Sequence, residues 1–177
     1  MHHSRFVFVL ALAILASVAV VIAADSMPQV GQQAPGFTLP SQDGTNVSLK
    51  DFKGKWVVVY FYPKDKTPGC TIEAHNFQRD LAQYDKKKTV ILGVSVDSTD
   101  SHKEFCAEQS LTFKLLSDTQ KKVVAQYGST QEMRGETIAA RNTFLVDPKG
   151  NIANVWVKVD PNKHSEEVLA KLTEVAK

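Results

Sequence analysis

Cysteine is scarce in this chain: the 177 residues contain two, Cys70 and Cys106, 36 positions apart. Neither belongs to a Cys-x-x-Cys or Cys-x-x-Cys-His element, so the sequence carries no redox dithiol pair and no haem-attachment motif. It also has no glycine-rich dinucleotide fingerprint. Excess charge is lacking too, since 21 Lys and Arg against 19 Asp and Glu leave a formal charge of +2. No basic run exceeds Lys86-Lys87-Lys88 and none is interleaved with aromatic residues, which excludes a phosphate-tracking surface and nucleic acid as the partner. Internal repeats and low-complexity linkers are absent. With 43% hydrophobic and 23% charged residues, the composition is that of an ordinary globular domain with one core.

One long apolar run is present, and it stands at the N-terminus. His2, His3 and Arg5 precede a stretch over residues 6–24 that is hydrophobic apart from Ser17, with small residues at a cleavage point after Ala23 or Ala24. This is the pattern of a secretory signal peptide. An uncleaved signal-anchor is the alternative, because the run matches the ~20 residues that span a bilayer. The expected organisation is therefore a signal peptide or signal-anchor over 1–24 and a single domain over 25–177. The expected location is outside the cytoplasm, in the periplasm, or anchored in the inner membrane and facing it. The mature form has no stable membrane contact unless the segment is retained.

Within the domain, the seven residues Trp56-Val-Val-Val-Tyr-Phe-Tyr62 are all β-branched or aromatic and read as a strand buried on both faces. Pro63 ends it. Thr67 is then placed to be an N-cap with Pro68 at the first helical position, so Cys70 falls in the first turn of a helix over 68–86. Unpaired backbone N–H groups and the helix dipole at that position favour negative charge, and hence a thiolate. Further strands are expected over 37–39, 46–49, 89–97, 113–116, 143–146 and 152–159, with helices over 100–109, 119–127 and 163–175 and a loop over 129–140. Strand–helix–strand alternation, then a hairpin and a terminal helix, gives an α/β sandwich with a mixed central sheet and right-handed crossovers. The end of the 56–62 strand, and with it Cys70, faces the crevice where such sheets bind ligands.

The segment Tyr60-Phe61-Tyr62-Pro63-Lys64-Asp65 through Thr67-Pro68-Gly69-Cys70-Thr71 resembles the active-site signature of the peroxiredoxins, in particular their Q-type, or bacterioferritin-comigratory, branch. The resemblance extends through Ala34-Pro35-Gly36-Phe37, Gly93-Val94-Ser95-Val96-Asp97, Leu115-Leu116-Ser117-Asp118 and Arg141-Asn142-Thr143-Phe144-Leu145 and covers roughly residues 28 to 177. It implies a thioredoxin-like sandwich, helices flanking the mixed sheet, and a thiol peroxidase that reduces hydrogen peroxide and organic hydroperoxides without metal, haem or flavin. Cys70 would be the peroxidatic nucleophile, oxidised to a sulfenic acid. Thr67 would place its hydroxyl near the sulfur and the bound peroxide, and Pro63 would shield the site from water.

Displacement on an O–O bond builds negative charge on the leaving oxygen, so a fixed cation beside the sulfur is expected. Arg141 matches the family's active-site arginine, with Arg134 the alternative, and Glu73, one turn beyond Cys70, would orient it. In much of the branch the resolving cysteine lies five residues after the peroxidatic one, where this chain has His75. A smaller group carries it on a later helix, and Cys106 fits that group. The resemblance then implies an intramolecular Cys70–Cys106 disulfide in each turnover, the atypical 2-Cys cycle. A disulfide needs Cα atoms ~4.4 to 6.8 Å apart, so at least one of two separate helices must unwind locally. A permanent structural disulfide is the competing role for the pair.

The partners implied are a peroxide and a thioredoxin-like dithiol reductant, acting on a monomer; for an exported protein the donor is a periplasmic or membrane-relayed dithiol. The rival functions are a thioredoxin-fold thiol–disulfide oxidoreductase and a copper or zinc carrier. Cys70, His75, His102 and Cys106 would make up a Cys2His2 set, but Cys70 and His75 lie ~140° apart around their helix and cannot readily share one ion. No metal site is expected.

Overall fold

The structure, a computed structural model, describes residues 27–176; the expected signal segment over 1–24 lies outside them. Its centre is β3, Trp56–Phe61, whose residues from Val57 to Phe61 are buried on both faces as the sequence requires. The main sheet has five strands in the order β5 (Lys114–Ser117), β4 (Thr89–Ser95), β3, β8 (Asn142–Val146) and β9 (Ile152–Val157). β3, β4 and β5 run parallel, joined through helices α1 (Pro68–Lys86) and α2 (Thr99–Gln109). β8 is antiparallel to β3, and β9 to β8, around the expected turn at Asp147–Gly150. The result is the mixed α/β sandwich expected from the order of elements.

Alternation along β3 divides the core in two. Val57, Val59 and Phe61 face Leu92, Val94, Phe144 and Tyr127, on the side covered by the small β1–β2 hairpin (Thr38–Pro40, Asn46–Ser48) and α3 (Lys122–Gln126). Val58, Tyr60 and Tyr62 face α1, α2 and the last helix, α4 (His164–Val175), through Phe77, Tyr84, Phe105, Val168 and Leu172. Both cysteines lie in this second cluster.

Most expected elements shift by one or two residues at an end, and three differences have a local cause. The 56–62 strand stops at Phe61: Tyr62 N–H still donates to the Val94 carbonyl at 3.1 Å, but Pro63 has no N–H with which to continue. The 119–127 helix contracts to Lys122–Gln126, because Lys121 is left-handed at φ 59° and the Asp118 carboxylate takes the Lys122 and Val124 N–H groups at 3.1 and 2.8 Å. The expected loop over 129–140 contains the hairpin β6–β7 (Thr130–Met133, Glu136–Ala139). Its two-residue turn places Arg134 at φ 52° and Gly135 at φ 83°, the primed geometry that suits paired strands. Strands of only four residues, Thr-Gln-Glu-Met and Glu-Thr-Ile-Ala, joined by Arg-Gly, are too short and too mixed to show an alternation.

Gly93 of β4 lies in register between Tyr60 and Leu115. A Cβ there would stand 2.6 Å from Leu115 Cδ2 and 2.7 Å from Tyr60 Cζ, so the glycine is what lets the Tyr60 ring lie across β4. Gly93→Ala is expected to lower stability by ~1–3 kcal/mol, the usual cost of overpacking a core. Denaturant unfolding measures it, and an unchanged midpoint would mean that the ring moves aside without penalty.

Candidate active site

The chain leaves β3 through Pro63, turns at Lys66 with φ 60°, and enters α1 at Thr67, which has the extended backbone of an N-cap, with Pro68 next. Thr67 occupies the capping position without capping: its hydroxyl donates to the Lys64 carbonyl at 2.9 Å and closes the loop. The first turn is closed by the backbone, with Thr71 N–H on the Thr67 carbonyl at 2.9 Å. Cys70 follows in that turn, buried at 1% exposure, and both Cys70 and Cys106 are free thiols.

The β3–β8 register brings the arginine to the cysteine. Tyr60 pairs with Thr143, and because the strands are antiparallel, the residues just after β3 and just before β8 emerge at the same sheet end. Arg141 is the residue before β8. Its Nη2 donates to Cys70 Sγ at 3.3 Å, and its Nη1 donates to Glu73 Oε2. Gly69 leaves room for the guanidinium, since a Cβ there would be 3.3 Å from Arg141 Nη2. Arg134, the alternative, is exposed at the tip of the β6–β7 turn and takes no part. Burial works against the charge of Arg141, but Glu73 and Cys70 outweigh it and hold the guanidinium firmly protonated.

Glu73 is the costly member of this group. It is 1% exposed, and its second oxygen, Oε1, has no hydrogen-bond partner. Burial pushes its carboxyl up to about 7 against the pull of Arg141. The Tyr60 hydroxyl is likewise buried and unpartnered, and burial, then Glu73, Cys70, Cys106 and Asp65, push its ionisation well up. Cys106 sits on α2, its thiol pushed up to about 11 by burial and then by Asp65. The structure thus gathers Cys70, Arg141 and Glu73 into one contact, with Thr67 and Pro63 in the loop beside it, and places Cys106 in the adjoining apolar cluster. A groove of about 480 Å³ opens against Pro63 and Arg141, walled by Ala140, Val157 and Val159.

Sequence reasoning did not find the buried polar groups around this contact. His164, at the start of α4, bonds Thr143 Oγ1 through Nε2 at 2.7 Å, and burial and then Arg141 push its imidazole down to about 4. Asp65 and His102 form a second buried pair, Oδ2 to Nδ1 at 2.8 Å. The one available signal was the i, i+4 spacing of His102 and Cys106 on α2. His75 is exposed, and His102 is committed to Asp65 rather than turned to a shared ion with the cysteines.

A nucleophilic sulfur at a helix N-terminus with a fixed guanidinium donating to it suits displacement on a small electrophile. Comparison with known proteins points the same way. Residues 30–155 match the AhpC/TSA family. Peroxiredoxin Bcp of Xanthomonas campestris is 41% identical over 150 residues, spanning 81% of this chain and 94% of that protein. The crystal structure of a cysteine-to-serine mutant of Xylella fastidiosa PrxQ superposes with a TM-score of 0.82 at 35% identity, covering 86% of this chain and 99% of that one. A Xanthomonas campestris peroxiredoxin Q mutant gives a TM-score of 0.77 at 37% identity over 84% and 99%. The sandwich described above is therefore the thioredoxin-like peroxiredoxin fold, and the chain belongs to the AhpC/TSA family of thiol peroxidases, alongside the peroxiredoxins named Bcp and Q.

Proposed function

We propose that the chain is an exported peroxiredoxin that reduces hydrogen peroxide and organic hydroperoxides through Cys70, with Cys106 as the resolving thiol. The observation that carries this is the Arg141 guanidinium, bonded at once to Cys70 Sγ and to Glu73. The Cys70 thiolate attacks one peroxide oxygen, the O–O bond breaks, and the leaving oxygen takes a proton to become water or an alcohol. The sulfur, oxidised by two electrons, is then a sulfenic acid. Arg141 Nη2, aimed at the sulfur before attack, is placed to follow the charge to the departing oxygen, while Glu73 holds the other arm of the fork. The Thr67 proton is committed to Lys64, so its oxygen is left as an acceptor for the proton of the hydroperoxide. Pro63 stands at the edge of a groove that reaches Arg141, placed to shield the sulfur from water.

Cys106 then attacks the Cys70 sulfenic acid; the S–S bond forms, S–O breaks, and hydroxide leaves with the Cys106 proton as water. A dithiol reductant restores both thiols. Two solved mutants of Xanthomonas campestris peroxiredoxin Q support this pairing, because the two cysteines replaced in them are separated by the same number of residues as Cys70 and Cys106. In this reading residues 1–24 direct export to the periplasm and are cleaved after Ala23 or Ala24, the retained anchor being the alternative; the N-terminal sequence of the secreted chain decides between them.

Cys70→Ser is expected to abolish peroxide consumption, whereas Cys106→Ser consumes one equivalent and stalls as the sulfenic acid or a mixed disulfide. Steady-state turnover retained in Cys70→Ser would end the proposal. Arg141→Ala is expected to slow the attack by ~10²–10³, the scale of one lost transition-state donor, with the fold intact. Stopped-flow peroxide reduction measures it, and an unchanged rate moves the role elsewhere.

Glu73 and His164 also fix a pH signature. Glu73 ionises near 4.5 unfolded and near 7 folded, so the unfolded chain binds fewer protons and stability falls as pH rises through that window. His164 ionises near 6.5 unfolded and near 4 folded, so stability rises with pH between those values. The two contributions oppose each other between about pH 4.5 and 6.5. Glu73→Gln removes the main group opposing the histidine, and its stability should climb across that window by on the order of 2–3 kcal/mol. Denaturant titrations at several pH values read the slope; a flat profile in Glu73→Gln would mean that His164 is not held neutral.

A further inference from the structure

The loop that delivers Cys70 is bolted to the helix that carries Cys106. Asp65, in that loop, accepts from the Tyr62 hydroxyl through Oδ1 at 2.7 Å and from the Ser101 hydroxyl through Oδ2 at 2.7 Å. The same Oδ2 lies 2.8 Å from His102 Nδ1. Asp65 is 5% exposed and His102 is fully buried, one helical turn before Cys106 on the same face of α2. Asp65 N–H donates to Asp97 Oδ2 at 3.0 Å, which ties the loop to the end of β4 as well. A second, solvent-facing tether runs from Lys66 Nζ to Glu104 and Glu108 of α2, at 2.9 and 2.8 Å. Both charged side chains that follow Lys64 in the loop therefore end on α2.

We propose that Asp65 and His102 form a latch between the peroxidatic loop and the resolving helix, and that its opening sets how fast Cys106 reaches Cys70. This rests on the assignment of Cys106 as the resolving thiol. Both thiols are buried, and they start on separate helices, so one segment must leave its place before their sulfurs can join. The loop cannot part from α2 without breaking the Asp65–His102 contact. The closed state also holds atoms that gain from opening. His102 Nε2 and the Tyr60 hydroxyl are buried without partners, the first on the latch itself and the second in the cluster shared by both cysteines. Opening hydrates both. A few strong bonds on one side and unsatisfied polar groups on the other make a local two-state element rather than an inert piece of core. Asp65 and His102 are positioning residues: they touch neither peroxide nor the reacting sulfur, and act through α2.

The test follows the full chain through one turnover by rapid quench, thiol labelling and mass spectrometry, which count sulfenic acid, sulfinic acid and disulfide separately. Asp65→Asn and His102→Asn are each expected to raise the rate of disulfide formation ~10-fold relative to sulfenic acid formation, the scale of a lost buried charged hydrogen bond. The peroxide concentration needed to drive Cys70 to sulfinic acid rises in step. Because both substitutions break one contact, the double variant adds little to either single one. Ser101→Ala, which removes one bond and keeps the pair, gives a smaller acceleration and serves if the stronger variants do not fold.

An unchanged or slower disulfide step in folded variants would overturn the latch, the slower one assigning His102 to proton removal from Cys106 instead. Hydrogen exchange of the reduced protein gives a readout that does not depend on Cys106 chemistry: α2 amides should exchange faster in Asp65→Asn, and unaltered exchange there also overturns the latch. If the unmodified chain forms no Cys70–Cys106 disulfide while α2 exchange still responds, the assignment of Cys106 fails and the mechanical coupling stands.

Discussion

The site depends on a single guanidinium that two acidic groups share inside the protein. Arg141 meets Cys70 Sγ with one nitrogen and Glu73 with another, and no other cation contacts either group among the described residues. Arginine suits this position because it keeps its proton and presents its donors in a fixed fork, so one side chain can hold two partners at a set angle. The surrounding structure is arranged to permit the contact. Antiparallel pairing of β3 with β8 brings Arg141 to the sheet end where Pro63 releases the chain, and Gly69 leaves the space that the guanidinium fills. The cost appears in Glu73, which is buried, half-satisfied, and held near neutrality. A buried pair of this kind contributes orientation more than stability.

Stability is correspondingly uneven across the sandwich. The face covered by β1–β2 and α3 is packed by apolar side chains such as Val57, Val59, Leu92 and Phe144. The face covered by α1, α2 and α4 contains both cysteines, and among the described residues the four buried side-chain polar atoms without partners, on Tyr60, Glu73, His102 and His164, cluster about that side. Each belongs to a residue that borders the Cys70–Arg141 contact or the loop leading to it. Burial without a partner is unfavourable, and here it is concentrated around the proposed site rather than spread through the core. The Cys106 thiol lies on the same side, pushed up to about 11 by burial and then by Asp65.

Local pattern was enough to recover most of the fold. An unbroken β-branched and aromatic run demands burial on both faces, and a proline followed by Thr-Pro fixes where the helix starts, so β3, α1 and the place of Cys70 could be read directly. The β6–β7 hairpin could not, because its strands carry Thr, Gln and Glu and its turn is Arg-Gly. The shortened α3 could not either, because a carboxylate six residues ahead of Val124 takes the N–H groups that would have extended it. Thr67 shows the limit at finer scale: its position in the helix start was legible, but the partner of its hydroxyl was decided by the turn at Lys66.

The sequence by itself determined the candidate nucleophile, its helix-start setting and the order of elements, since each is encoded by neighbours within a few residues. The resemblance already singled out Arg141 over Arg134, but only the tertiary structure decided that its guanidinium meets the sulfur, because that contact depends on the pairing of β3 with β8. It also decided that Asp65 and His102, 37 positions apart, meet as a buried pair. Long-range contacts between polar groups leave no periodic trace in a chain, whereas apolar burial repeats with each turn or pleat and can be read before the fold is known.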